Sequence, residues 1–173
     1  MSENELTAVY SITFQNLSLV DLTRTKTFYP TLKDGPIIDN NIPSNNEIKA
    51  GGGVETLAWN EYIDFLAVGD SATGVVYKNP KTGASFGIQI ETYIQVFGIG
   101  SAPKWSVSYH GQNDWKKVVE DPAMAWDMPD ESAKASGFDV RVEPVAGHQS
   151  LKLLVIISEY RAGFDRKDLV KIE

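Results

Sequence analysis

The sequence predicts a mainly all-β fold, an antiparallel two-sheet β-sandwich with one or two short helices, on three observations. Apolar and polar residues alternate over short runs, the pattern of half-buried strands. Gly, Pro and Asn clusters cut those runs into about nine strands at a spacing of about 8–12 residues. Only one stretch carries a helical signal, residues 113–121, with Asn113 or Asp114 as cap, a Trp115/Val118/Val119 face and a stop at Pro122.

Taken in order, Ala8 to Leu19 sets Val9, Ser11 and Thr13 against Tyr10, Ile12 and Phe14, which is a strand. Arg24 to Leu32 is a second, rich in Thr and aromatics. Lys33 to Gly53 is turn-rich, carrying Gly35-Pro36, Asp39-Asn-Asn41, Pro43 and three successive glycines. Strands follow at Val54–Trp59, Phe65–Val68 and Gly74–Lys78, and Asn79 to Gly83 is a hairpin turn returning into Ala84–Ile90. Tyr93 to Gly111 is a strand, a Gly/Ser/Pro turn and a strand, with aromatics on both sides of the turn. Alternation puts Trp105, Val107 and Tyr109 on one face, with Trp105 and Val107 expected in the core. Ala123 to Pro129 reads as an apolar loop, and Gly137–Pro144 and Ser150–Glu159 close the pattern. A single domain is expected over 1–173, with a short leading segment 1–9 and an extension 161–173.

Composition excludes several classes. A net charge of −7 opposes nucleic acid and anionic membranes, both of which call for clustered Lys and Arg. Zero cysteines exclude disulfides, thiolate catalysis and thiolate metal sites. The acidic Met1-Ser-Glu-Asn start has no apolar signal core, and no apolar run reaches the ~20 residues of a spanning helix. The expectation is a soluble chain, cytoplasmic or released without a signal peptide. The Asn16-Leu-Ser18 sequon is then expected to go unused.

No catalytic constellation emerges, so a non-enzymatic function without a cofactor is expected. His110 and His148 each sit beside a glycine at a predicted strand end, the setting of ordinary turn residues. Gly98-x-Gly100 lacks the third glycine and the helix of a dinucleotide fingerprint. Glu120, Asp121, Asp127, Asp130 and Glu131 are either oxygen ligands for Ca²⁺ or a solvated acidic loop, the second reading being favoured. The aromatics say more. Of the four tryptophans, Trp115 and Trp126 fall in a short helix and a loop beside Met124 and Met128. Such loops suit insertion into lipid headgroups.

From Thr73-Gly-Val-Val-Tyr77 through Ser101-Ala-Pro103, Trp105–Tyr109 and Gly147-His148-Gln-Ser-Leu151, the order of features resembles the actinoporin-like β-sandwich family, the sphingomyelin-binding cytolysins and their non-lytic fungal relatives. Ile12-Thr-Phe-Gln-Asn-Leu-Ser18 and Tyr29 resemble its opening hairpin, so the likeness spans roughly residues 10–160. Trp105-Ser-Val-Ser-Tyr109-His-Gly-Gln-Asn113 is also similar to a stretch of the aegerolysins, acidic sandwiches that recognise sphingolipids, although their Trp-Pro-rich strand is missing.

The resemblance implies recognition of phosphocholine lipids, sphingomyelin above all, with or without cholesterol. It carries Ser101, Pro103 and Tyr109 over to a headgroup site, to which aromatic character adds Tyr93 and Trp115. Trp126, Met124 and Met128 are the expected membrane contacts. The family's Tyr-rich loop is replaced here by Lys104-Trp105 and Asn113-Asp-Trp115. Its long amphipathic leader has no counterpart in the short segment before the first strand, so binding without a self-made pore is expected. The alternatives are a lectin, in which an exposed Trp stacks on a sugar ring, and a cytolysin subunit that uses the apolar loop against a protein partner or assembles into an oligomer.

Overall fold

Two sheets face each other across one core. The computed structural model describes residues 5–28, 37–64, 69–95, 98–99, 103–109, 116–117, 123–146 and 150–162. In chain order the elements are β1 Glu5–Asn16, β2 Leu22–Phe28, β3 Ile37–Asn41, β4 Glu47–Ile48, β5 Gly53–Asp64, β6 Gly69–Lys78, β7 Ser85–Gln95, β8 Gly98–Ile99, β9 Lys104–Tyr109, β10 Lys116–Lys117, β11 Trp126–Asp127, α1 Asp130–Ser136, β12 Phe138–Ala146 and β13 Ser150–Glu159. The first sheet runs β11-β12-β13-β1-β5-β3, the second β10-β9-β7-β6-β2-β4, with β8 on β7. Pairing is antiparallel except between β1 and β13, so the opening and closing strands lie side by side and parallel. The expected strand Phe65–Val68, the tail 163–173, His110 and His148 lie outside the described residues.

The alternation in the sequence translates directly into two faces. On β1, Tyr10, Ile12 and Phe14 are buried while Ser11 and Thr13 are only half-buried; on β13, Leu151, Leu153, Val155 and Ile157 point inward. Facing them, β7 contributes Phe86, Ile88 and Ile90, and β9 contributes Trp105 and Val107, both buried as expected. The sheets meet at Phe14 and Tyr77, whose ring centroids are 4.6 Å apart and tilted by 57°. The Asn79–Gly83 hairpin forms as expected: Gly83 takes φ +74° and its N–H donates to the Asn79 carbonyl at 2.9 Å.

Two expectations about helices are corrected. Lys116 and Lys117 are not helical; they pair with Val107 and Ser106 as the edge strand β10. The unpaired backbone groups of β9 recruit them, and lysines are what solvated edges commonly carry. The helix stands further on, at α1, where Pro129 is the cap residue, Asp130 and Glu131 fill the first turn and Gly137 closes the end at φ +78°. The turn-rich segment 33–53 likewise contains β3 and β4, short strands held by pairing to β5 and β2 rather than by local propensity.

The crossing from the first sheet to the second is built on Asn16, which is fully buried. Its Nδ2 donates to the carbonyls of Val20 and Ile48, both at 2.9 Å, and its Oδ1 accepts from the Ser18 N–H and hydroxyl at 3.0 and 2.6 Å. The sequon nitrogen is therefore committed to the fold. The three glycines lie against this corner, Gly52 N–H donating to the Asn16 carbonyl at 2.7 Å. A Cβ on Gly53 would fall 2.3 Å from the Lys49 carbonyl oxygen and 2.8 Å from its nitrogen, both rigid backbone atoms. Gly53→Ala is expected to destabilise by about 1–3 kcal/mol in urea unfolding, because the turn must open to admit the methyl.

Burial also tunes one acid. Desolvation pushes the Tyr77 hydroxyl up to about 12 from 10.0, with Arg24 pulling against it and Glu55 adding to it. The folded form therefore holds this proton more tightly than the unfolded chain. Stability from Tyr77 is complete below pH 10 and lost as pH rises toward 12. Alkaline unfolding followed by tyrosinate absorbance should show one hydroxyl ionising with the unfolding transition, and Tyr77→Phe should shift that transition to higher pH.

Candidate functional site

The site grows from the short edge strand β11. Trp126 pairs with Val142 and shares its inward face, so its ring closes the open side of the sandwich. It stacks on Phe86 at 6.1 Å and 22°, and lies against Tyr109 at 5.9 Å and 35°. Phe86 and Tyr109 are themselves opposite one another on β7 and β9. Trp126 and Tyr109 both remain half-exposed.

Asp127, next along the chain, faces the other way. Both its carboxylate oxygens accept from Arg141 Nη1, at 3.0 and 2.8 Å, while Arg141 Nε donates to Glu143 at 2.9 Å. The Glu143 hydrogen bond pushes the Arg141 guanidinium above its ordinary pKa, partial burial opposes it and Asp127 adds to it. The Met128 N–H then donates to the Val140 carbonyl at 2.9 Å, and the Tyr160 hydroxyl reaches Asp130 at 3.3 Å. These contacts pin residues 126–130 to the sheet and leave Ala123, Met124 and Ala125 exposed ahead of them.

Register locates the neighbours of that loop. Antiparallel pairing of Trp126 with Val142 sends the preceding residues toward Pro144 and Val145. Val145 is paired with Lys152, and Lys152 with Ser11, on the outward face of the first sheet. Met124 is 58% exposed, Val145 69% and Val9 38%. Val145 and Val9 thus flank Lys152 on the outward face of the first sheet, while Met124 is exposed on the loop ahead of β11.

The expected site residues divide accordingly. Met124 is at the surface and Trp126 partly so, while Met128 is 1% exposed and packs in the core, which removes it as a membrane contact. Pro103 is buried as well, so its ring is not offered to a ligand. Tyr109 serves the aromatic packing under Trp126. Tyr93 lies on β7 opposite Asp70, and Ser101 and Trp115 lie outside the described residues. Among the described residues no group of three or more His, Asp or Glu side chains is placed to hold a metal ion, and Asp127 is engaged by Arg141. Sequence reasoning missed Val9, Val145, Arg141 and Lys152. A signal existed: Val145 falls in the polar phase of β12, in step with Arg141 and Glu143.

No protein-family model matches this chain, and no curated protein sequence matches it. No helix among the described residues is long and apolar enough to cross a membrane.

Proposed function

We propose that this protein binds the surface of membranes rich in zwitterionic choline lipids, sphingomyelin first among them, alone or with cholesterol. The observation that carries this reading is the exposed Ala123-Met124-Ala125 loop, anchored where Trp126 packs on Phe86 and Tyr109. An apolar side chain fixed in solvent by a clamped edge strand is costly to hydrate, and one the size of Met124 gains about 1.5–3 kcal/mol on full burial. The net charge of −7 disfavours anionic lipids as the target. The likeness of residues 10–160 to sphingomyelin-binding cytolysins points to the same target.

Co-sedimentation with vesicles tests it. Sphingomyelin vesicles should carry the protein down, phosphatidylcholine vesicles less so, with little dependence on salt. Equal failure on both would sink the proposal. Glycan-array binding without vesicle binding would instead favour a lectin.

A further inference from the structure

With zero cysteines, all the sulfur of this chain is in its three methionines. Met1 lies outside the described residues, and the other two stand four residues apart in opposite surroundings. Met124 is 58% exposed, on the loop ahead of β11. Met128 is 1% exposed and packs in the core, and its N–H is bonded to the Val140 carbonyl at 2.9 Å. A peroxide therefore reaches the Met124 sulfur in the folded protein, whereas it meets the Met128 sulfur only when the sandwich opens. No thiol of the chain competes for that oxidant. The chain beyond Met124 is also fixed: Trp126 packs on Phe86 and Tyr109, and both Asp127 oxygens accept from Arg141. Whatever group the sulfur becomes is presented to solvent on the loop that the membrane-surface reading depends on.

We propose that Met124 is a site of reversible oxidation by peroxides, and that its sulfoxide releases the docking loop from the membrane. The step is an oxygen-atom transfer. A thioether lone pair attacks a peroxide oxygen, the S–O bond forms as the O–O bond breaks, and the rest of the peroxide leaves as water or an alcohol. Sulfur loses two electrons and the peroxide gains them. A reductase dithiol reverses the change: the sulfoxide oxygen leaves as water and the dithiol closes to a disulfide. The sulfoxide is a polar acceptor, so it opposes the burial that the thioether favours. The inference rests on the membrane-surface reading, because only a docked loop converts this change of polarity into release.

Dilute hydrogen peroxide on the folded protein, followed by peptide mass mapping and vesicle co-sedimentation, tests it. Oxygen should add at Met124 about tenfold or more faster than at Met128, with an unchanged circular dichroism spectrum. The oxidised protein should bind sphingomyelin vesicles about tenfold more weakly, and methionine sulfoxide reductase with dithiothreitol should restore the binding. Met124→Leu has no sulfur to oxidise at that position, so its binding, at whatever level, should be the same before and after peroxide. Equal rates at the two methionines, or oxidised protein that binds like the untreated parent, would overturn the inference and leave the surface reading standing. So would a Met124→Leu variant that peroxide weakens as much as it weakens the parent. If the untreated parent binds no vesicles, the surface reading and the release fall together, and a mass map selective for Met124 upholds the oxidation site alone.

Discussion

Alanine at position 14 is expected to cost the fold about 3–5 kcal/mol, the range for removing a buried phenylalanine. Phe14 is fully buried on β1, and its ring is the direct contact of the first sheet with Tyr77 of the second. Removing it deletes the aromatic pair and leaves a cavity that β-sheets on both sides resist collapsing. Urea unfolding checks this: the midpoint should fall sharply while the slope stays near that of the parent. A loss below about 1 kcal/mol would mean that the sheets do not meet where the ring geometry places them.

Asn16→Ala should come close to that, at about 3 kcal/mol, by a different route. Nothing apolar is lost. Instead the Ile48 carbonyl and the Ser18 N–H lose the Asn16 amide at a buried corner, while the Ser18 hydroxyl and the Val20 carbonyl keep their bond to each other at 3.0 Å. Asn16→Asp should be worse still, because it keeps the shape, removes both donors and buries a charge. Thermal unfolding of the two variants orders them, and an aspartate variant as stable as the parent would contradict the network. The two sites lie two residues apart on one face of β1, so their effects should not simply add.

How much of this was legible follows from what each feature depends on. The sandwich was, because strand period and turn chemistry are local: Ser150–Glu159 carries its own alternation, and Asn79 to Gly83 its own hairpin signal. The core positions of Trp105 and Val107 followed from the same parity. Features set by distant partners were not. Lys116 and Lys117 are extended because β9 offers an edge, and α1 is too short, with two buried residues, to show an amphipathic period. The site was half-legible. Composition put Met124, Trp126 and Met128 together at the surface; Met124 is exposed and Trp126 partly so, while Met128, only two residues beyond Trp126, is core. The Val145–Lys152–Ser11 row depends on β1 pairing with β13, across some 140 residues of chain, which local patterns do not encode.

The central claim is that the exposed loop led by Met124 docks on choline-lipid membranes. Its most direct test is sphingomyelin-vesicle binding by Met124→Asp beside the parent protein, with unfolding midpoints measured on both. Because the side chain is exposed, stability should not change, while a charge in place of an inserted thioether should weaken binding about tenfold or more. Undiminished binding by a folded Met124→Asp would contradict the account.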